Sequence, residues 1–371
     1  MAERPAPLVL VAAPLGDPRF GSYAAVAAAG QQLLAAELSQ RLGSLGAAVA
    51  PLRTERIEEF HWGAWFVAGA RAALDANGSI DAIGYAGAGS LALLADADLD
   101  DLLSPLAGEV VANNRFSADA FVVAGDLDRA LSSLQGCATD NAAARCLESA
   151  GFSVRDLSSA PFTRFDVDTP LDLALLRLAT RLPTARSLDP GVARFLEMAL
   201  LPGGRGLEIP RLAEIGAVMR DRNAELVVSG RVPADAWQYL ERETACRVRC
   251  FIEERGMRSA RSARPRSILA ALMERSSPGE LVGELSRLGD AVILDSRVLM
   301  AARGGSADAS SWPPEEDRFA ADFGDAPRIA TAWLRELVEA AAGAPVPWLM
   351  GGHALVSDGL RLLVEAAWQG H

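Results

Sequence analysis

The stretch that decides the fold of this chain is Phe165-Asp166-Val167-Asp168-Thr169-Pro170-Leu171-Asp172-Leu173. It begins as an extended run. Pro170 then suits the first turn of a helix, because the N–H that proline lacks would have no intrahelical partner there. Asp168 or Thr169 can cap the exposed amides of that helix. The stretch therefore predicts a strand end, a tight turn and a helix start.

The two carboxylates of this stretch, Asp166 and Asp168, have two explanations. In α/β folds, ligands and metal ions bind where strands end and helices begin, and carboxylates at such a place can hold a hard cation such as Mg²⁺. Alternatively, the residues form a plain Asp/Thr cap that performs no chemistry. The residues alone favour neither explanation.

The run from Asp166 to Leu173 resembles the Asp-Ile-Asp-Thr-Pro-x-Asp-Leu signature of the cofactor nucleotidyltransferases, which are the molybdenum-cofactor and phospholactate guanylyltransferases. The resemblance covers roughly the first half of the chain and implies a glycosyltransferase-A-like α/β fold there. In that family the second acidic residue of the motif helps to hold the catalytic metal, a role that falls here on Asp168. We expect Asp166 to hold Mg²⁺ beside it.

Length and charge limit the classes of function. The chain has 371 residues, half of them hydrophobic, which is enough for two ordinary cores and predicts two domains. Its net charge of −12 and its pI near 4.9 argue against nucleic acid or an anionic membrane as a partner. All 36 basic residues are arginine. The chain therefore lacks a Schiff-base lysine, a Walker-type loop and the lysine that many nucleotidyltransferases place near the triphosphate.

The cysteines and the N-terminal segment indicate the type of protein. Four cysteines lack the paired Cys-x-x-Cys spacing of a zinc ribbon, and there are only three histidines, which argues against structural zinc. The N-terminal segment has no apolar signal core, and no apolar run approaches the length of about 20 residues that a membrane span needs. These features predict a soluble cytoplasmic protein with reduced thiols.

The first predicted domain, residues 1–183, begins with a strand at Leu8–Ala13, followed by a loop and then by a helical stretch. The loop contains Gly16, Arg19 and Gly21, which is the setting of a phosphate-binding loop. It departs from the signature of the resembling family in its spacing and in the missing lysine. A simple connecting loop is the alternative.

Two further segments of this domain carry candidate nucleotide-binding residues. A strand near residue 85 runs into a turn with Gly87, Gly89 and Ser90, where the resembling families place a metal-binding aspartate and this chain has no carboxylate. Between two later β runs, Asn114 and Asp119 could pair with a base or a ribose. The alternative for those two residues is a hydrogen-bonded loop that joins two strands.

The second predicted domain, residues 184–371, shows its own alternation of strands and helices. Such alternation predicts a small doubly wound parallel sheet with right-handed crossovers. The predicted strands are residues 224–229, 246–252, 290–294 and 345–350.

Charged residues and glycines follow the predicted strands of this second sheet, and ligands of parallel sheets bind at that edge. Arginine forks and a Gly-Gly turn suit a phosphorylated or carboxylated ligand. Alternatively, the arginines and carboxylates pair with one another. The loop 302–325 is long enough to be a lid. The predicted anion site consists of Arg231, Glu254, Arg255, Asp295, Arg297, Gly352, His353 and Ser357.

Two functional hypotheses follow from these observations. The first is Mg²⁺-dependent transfer of a nucleotidyl group from a nucleoside triphosphate to a small anionic metabolite that the second domain binds. The second is a nucleotide-binding, anion-binding or scaffold protein whose first domain keeps the transferase fold without its chemistry. The missing lysine and the Gly87–Ser90 turn favour the second hypothesis. The sequence leaves the oligomeric state open, including a homo-oligomer.

Overall fold

The protein is described from a computed structural model, which covers residues 6–13, 21–53, 60–78, 80–253, 265–306 and 308–369. The chain is a mixed α/β protein whose described residues form two compact units. The first unit contains residues 6–168, apart from 21–27, and residues 188–192. The second contains residues 21–27, 169–187 and 193–369.

The first unit is built on a sheet of six strands. Its elements are β1 (Leu8–Ala13), α1 (Tyr23–Ser44, of which residues from 28 onward belong to this unit), β2 (Ala48–Arg53), α2 (Trp62–Asn77), β3 (Ala82–Ala86), α3 (Asp96–Leu102), β4 (Glu109–Ala112), β5 (Ala120–Ala124), α4 (Leu127–Leu134), α5 (Ala143–Ser149) and β6 (Ser153–Asp156).

The strand order of this sheet is β2-β1-β3-β5-β4-β6. Strand β1 is parallel to β2 and β3, and β4 is parallel to β6, whereas β5 is antiparallel to both of its neighbours. Since β5 is antiparallel to both β3 and β4, β4 runs in the same direction as β3. The carboxyl ends of β1, β3 and β4 therefore lie at one edge of the sheet, together with the β4–β5 connection.

Both faces of this sheet are covered by apolar side chains. Successive residues of a strand point to opposite faces, so Leu10 of β1 belongs to one buried cluster and Val9 to the other. The first cluster is aromatic, with the rings of Trp62 and Phe66 stacked 5.1 Å apart and the ring of Tyr85 edge-on to both. This packing fixes β3 and the turn that follows it.

Two of the four cysteines are paired. Cys137 and Cys146 form a disulfide, while Cys246 and Cys250 are free thiols. The sequence analysis expected four reduced cysteines, and the structure places the first two in a pair. The chain turns back between the end of α4 and α5, which brings together two residues that are nine positions apart. Their spacing matches no common cysteine motif and gave no sign of this contact.

The second unit contains more helix than the first and is built on a sheet of four strands. Its elements are α6 (Pro170–Ala179), α7 (Pro190–Met198, from residue 193 onward), β7 (Leu200–Leu201), β8 (Arg205–Gly206), α8 (Leu212–Arg220), β9 (Glu225–Gly230), α9 (Ala234–Glu243), β10 (Arg247–Ile252), α10 (Ile268–Arg275), α11 (Pro278–Ser286), β11 (Ala291–Asp295), α12 (Ser296–Gly304), α13 (Glu315–Asp322), α14 (Ala332–Ala342), β12 (Trp348–Gly351), α15 (His353–Val356) and α16 (Asp358–Trp368).

The sheet of the second unit has the order β10-β9-β11-β12, and every pairing in it is parallel. The prediction of four parallel strands in this part of the chain is therefore confirmed. The fourth strand begins at Trp348 and not at the predicted Pro345, because prolines at 345 and 347 cannot donate to a strand ladder. The carboxyl ends of all four strands lie at one edge.

The long segment 302–325, predicted to be a lid loop, is largely helical. Its start belongs to α12, a short 3-10 helix covers Ala309–Ser311, and α13 occupies the second half. Phe319 and Ala320 of α13 are buried. The lid prediction is therefore wrong for α13, because its apolar face packs into the core of the unit. Across the described residues, no helix is long and apolar enough to cross a membrane.

Candidate functional site

The helix start predicted from the sequence is present and is capped by Thr169. The Thr169 hydroxyl accepts a hydrogen bond from the Asp172 N–H at 3.2 Å, and the Thr169 N–H donates to Asp172 Oδ2 at 2.9 Å. This reciprocal pair is a capping box, and Pro170 occupies the first turn of α6. The Thr-Pro-x-Asp part of the motif therefore has a complete structural explanation.

The other part of the motif, which belongs to the first unit, lies against the turn after β3. Asp166 forms an antiparallel bridge with Ser90, and the Val167 N–H donates to the Gly89 carbonyl at 3.1 Å. A Cβ atom at Gly89 would lie 2.3 Å from the Val167 oxygen and 2.9 Å from Asp166 Oδ1. A glycine is needed at position 89 because the two segments approach so closely. Asp168 is exposed at the end of this segment.

The turn after β3 also contacts the segment that leads into β5. The Gly87 N–H donates to the Asp119 carbonyl at 2.9 Å, and the Ser90 hydroxyl donates to the Gly87 carbonyl at 2.8 Å. The predicted turn with Gly87, Gly89 and Ser90 is thus brought together with Asp119 and Asp166, which were predicted in two other segments, at one edge of the sheet.

Tyr85, at this same edge, is surrounded by carboxylates. Its hydroxyl donates to Asp140 Oδ2 at 3.5 Å. Burial raises the pKa of Tyr85 well above its ordinary value, and the negative charges of Asp140, Asp119 and Asp166 raise it further. The hydroxyl therefore keeps its proton and acts as a hydrogen-bond donor. The sequence analysis missed Tyr85 and Asp140, although a tyrosine directly before a Gly-rich turn was the available signal.

The β4–β5 connection is a hydrogen-bonded loop with one accessible face. Asn113 is buried, and both ends of its side-chain amide form hydrogen bonds within the protein. Its N–H₂ group donates to the Thr163 carbonyl at 2.9 Å, and its oxygen accepts from the Ala120 N–H at 3.0 Å. The oxygen of the predicted residue Asn114 accepts from the Phe116 N–H at 3.1 Å. The Ser117 hydroxyl bonds the side-chain oxygen of Asn141. The Asn114 oxygen is thus used within the loop, as the loop alternative expects, and its N–H₂ group is left for other contacts at a residue that is 8% exposed.

A Mg²⁺ ion at Asp166 and Asp168 stays a prediction, since one or two carboxylates together with the phosphates of a ligand are enough to hold Mg²⁺ in many proteins. Among the described residues, no three His, Cys, Asp or Glu side chains are placed so that they could hold a metal ion together. Asp166 and Asp168, the predicted ligands, lie at a strand-like segment whose hydrogen bonds are made to the β3 turn. Gly16 and Arg19 of the predicted phosphate loop lie outside the described residues, and Gly21 belongs to the second unit.

In the second unit, the carboxyl edge of the sheet holds an ion pair between the partly exposed Arg231 and the fully buried Asp295. Arg231 Nε lies 2.6 Å from Asp295 Oδ2, Arg231 Nη2 lies 3.1 Å from Oδ1, and the Arg231 N–H also donates to Oδ2. Burial alone would raise the pKa of the Asp295 carboxyl, but the Arg231 guanidinium, with a smaller effect of His353, holds that pKa below its ordinary value. Asp295 is therefore ionised at neutral pH.

A second ion pair lies next to the first. Arg297 Nη1 and Nη2 lie 2.5 and 2.6 Å from the two carboxylate oxygens of Asp322, and both side chains are almost completely buried. The Arg297 N–H donates to Asp295 Oδ1 at 3.2 Å, which links the two pairs. A Cβ atom at Gly352 would lie 3.9 Å from Arg297 Nε, so the Gly-Gly turn borders this cluster.

The remaining predicted residues of this site differ in their surroundings. His353 begins α15 close enough to Asp295 to influence its pKa. The Ser357 hydroxyl donates to the His353 carbonyl at 2.8 Å, which is a hydrogen bond between α15 and its C-cap residue. Glu254 and Arg255 lie outside the described residues.

The structure therefore brings Arg231, Asp295, Arg297, Gly352 and His353 together at one edge. Within the described part of this edge, each of the two arginines is paired with a carboxylate, which is the arrangement of the structural alternative. A phosphate or carboxylate ligand would have to compete with Asp295 and Asp322 for the guanidinium groups. The anion site stays a prediction.

Comparisons of the chain with protein-family models and with curated proteins identified no relative. No protein-family model matches the chain, and a search of curated proteins found no significant match.

Proposed function

We propose that the chain is a nucleotide-binding protein with a nucleotidyltransferase-like first unit, and that it binds the nucleotide at the carboxyl edge of β1, β3 and β4. The observation that carries this proposal is the reversal of strand order at β1, which has β2 on one side and β3 on the other. In open α/β sheets such a reversal opens a crevice at the carboxyl ends of the strands, and nucleotides bind there.

The groups that border this crevice suit a nucleotide. Ser90 and Tyr85, from β3 and its turn, and Asn114 and Ser117, from the β4–β5 connection, bring hydroxyl and amide groups to this edge, with Ser117 more exposed than the other three. Such groups pair with base edges and ribose hydroxyls. The close packing of Gly89 against Val167 holds the β3 turn in place. A rigid border favours binding, because few side chains must be ordered when the ligand arrives.

The same geometry favours binding over metal-dependent transfer. The motif that resembles the transferase signature is used for the Thr169–Asp172 capping box and for the bridge between Asp166 and Ser90. Strand β3 ends in a glycine turn without a carboxylate, and among the described residues no three His, Cys, Asp or Glu side chains lie close enough to hold a metal ion together. Phosphoryl chemistry depends on neutralising the charge that develops on the phosphates, which a metal normally does.

Isothermal titration calorimetry with GTP, CTP, ATP and UTP tests the proposal. We expect at least one of them to bind equally well in Mg²⁺ and in EDTA. Ser117→Ala should weaken this binding, whereas Ser149→Ala should not, because the Ser149 hydroxyl only bonds the Arg145 carbonyl of its own helix. If none of the four nucleotides binds, the proposal is wrong.

Nucleotidyl transfer is tested separately by release of pyrophosphate from each nucleoside triphosphate, with Mg²⁺ and a panel of small phosphorylated hydroxy acids as acceptors. We expect no release above the level without protein. Mg²⁺-dependent release that the exposed-site variant Asp168→Asn abolishes would establish catalysis and overturn the proposed non-catalytic role.

A further inference from the structure

An exposed aromatic side chain lies on the β4–β5 connection. Phe116 is 64% exposed, more than Phe60 at 48%, whereas Phe66, Phe121, Phe152, Phe162 and Phe165 of the same unit are buried. Burial of a phenyl ring is favourable, so a ligand that covers the exposed Phe116 ring would gain free energy from it. The connection that carries Phe116 lies at the same edge of the sheet as the β3 turn, because Ala120 at its end pairs with Ala86.

The backbone under this ring is held in place on both sides. The Phe116 N–H donates to the Asn114 side-chain oxygen, and the Ser117 N–H donates to the Asn114 carbonyl at 3.3 Å. The Arg115 N–H donates to Asp156 Oδ2 at 2.9 Å at the end of β6. These three hydrogen bonds fix the backbone of residues 114–117 and therefore the exposed position of Phe116.

The ring of Phe116 has one covered face. The Arg115 guanidinium lies over it at 5.8 Å from the ring centroid and is itself held by an ion pair with Glu148. A flat π-system can pack against the opposite face, and the cation on the first face orients the ring. Aromatic side chains in such settings stack nucleobases, since every base has a π-face.

We infer that Phe116 is the surface on which the base of the nucleotide stacks, with the Asn114 N–H₂ group donating to an acceptor atom of that base. This inference rests on the proposed nucleotide binding and adds the part of the ligand that the β4–β5 connection recognises. We assign the N–H₂ group of Asn114 to the ligand because the Asn114 oxygen already accepts one hydrogen bond, from the Phe116 N–H. Purines cover more of a phenyl ring than pyrimidines do, so a purine nucleotide with a ring acceptor is the preferred class.

Nucleotide affinity of ring variants tests the inference. Phe116→Ala should weaken binding of the best nucleotide about tenfold, which is within the range found for loss of one aromatic–base stack. Binding of inorganic tripolyphosphate, which has no base, should not change. Phe116→Trp should restore nucleotide binding, and its indole fluorescence should be quenched by the nucleotide but not by tripolyphosphate. The matched control is Leu106→Ala, another exposed apolar residue of this unit, which precedes β4.

The possible results separate this inference from the proposed function. If wild type binds a nucleotide and Phe116→Ala binds it equally well, the stacking role is wrong and nucleotide binding stands. If Phe116→Ala weakens nucleotide and tripolyphosphate alike, the ring supports the fold of the site and the stacking role is again wrong. If wild type binds no nucleotide, the proposed function fails and the inference fails with it.

Discussion

Replacement of Arg297 by alanine is the sharpest test of how the second unit is held together. The guanidinium forms a bidentate pair with Asp322 at 2.5 and 2.6 Å, and side-chain exposure is 7% for the arginine and 0% for the aspartate. Arg297→Ala would leave the Asp322 carboxylate buried without its partner. From the sequence alone we expected Arg297 to bind an anionic ligand. Its buried pair with Asp322 indicates in addition that the side chain stabilises the fold.

The size of the loss follows from this geometry. Breaking a buried ion pair by removal of one partner costs about 3–5 kcal/mol, because a charge stays behind in the protein interior. For a unit of this size, 1 kcal/mol corresponds to a shift of about 2–4 °C in melting temperature. Arg297→Ala should therefore lower the melting temperature of the second unit by roughly 6–20 °C.

Scanning calorimetry combined with hydrogen exchange locates this effect, because exchange of the β11 and β12 amides reports on the second unit. Arg287→Ala is the matched control, since its pair with Glu284 is exposed on both sides and exposed pairs contribute about 0–1 kcal/mol. The double variant Arg297→Met/Asp322→Leu should recover most of the lost stability, because no buried charge remains. A loss below about 1 kcal/mol for Arg297→Ala, the lower limit for an unsatisfied buried group, would refute the reasoning.

Two further predictions concern Asp295. Its pKa is lower in the folded state than in the unfolded chain, so its ion pair with Arg231 stabilises the protein above about pH 4 and is lost as the pH falls through the lowered pKa. Urea unfolding should show wild type more stable than Asp295→Asn at pH 7, with a gap that narrows below about pH 4; a gap independent of pH would contradict this. Gly230 has φ +136°, and a Cβ atom there would lie 2.2 Å from the Asp295 Cβ. Gly230→Ala should therefore cost at least about 2 kcal/mol in the same assay, whereas Gly283→Ala, in an open position of α11, should be neutral or stabilise by up to about 1 kcal/mol. Equal stability of the two glycine variants would show that the close approach is not required.

Helix starts and strands are determined largely by residues that are close together in the sequence, and these elements were predicted from the sequence pattern. The start of α6 at Pro170 and its cap by Thr169 follow from the preferences of proline and threonine at a helix N-terminus. The strands β9, β10 and β11 follow from short apolar runs between helices. Because parallel strands end at a common edge, the sequence also predicted that Arg231, Asp295 and Arg297 lie close together.

Pairing among residues far apart in the chain was decided by the tertiary structure alone. Nothing in the sequence assigns Asp322 to Arg297, since the two are 25 residues apart and the connection between them was expected to be a loop. The same holds for the contact of Asp166 with the β3 turn and for the disulfide between Cys137 and Cys146. The physical reason is that periodicity and capping act over a few residues, whereas the partner of a buried charge depends on which elements the core brings together. The sequence thus determined the strands, the helix start and the edge where charged residues collect, and only the folded chain decided that the arginines there are paired with carboxylates.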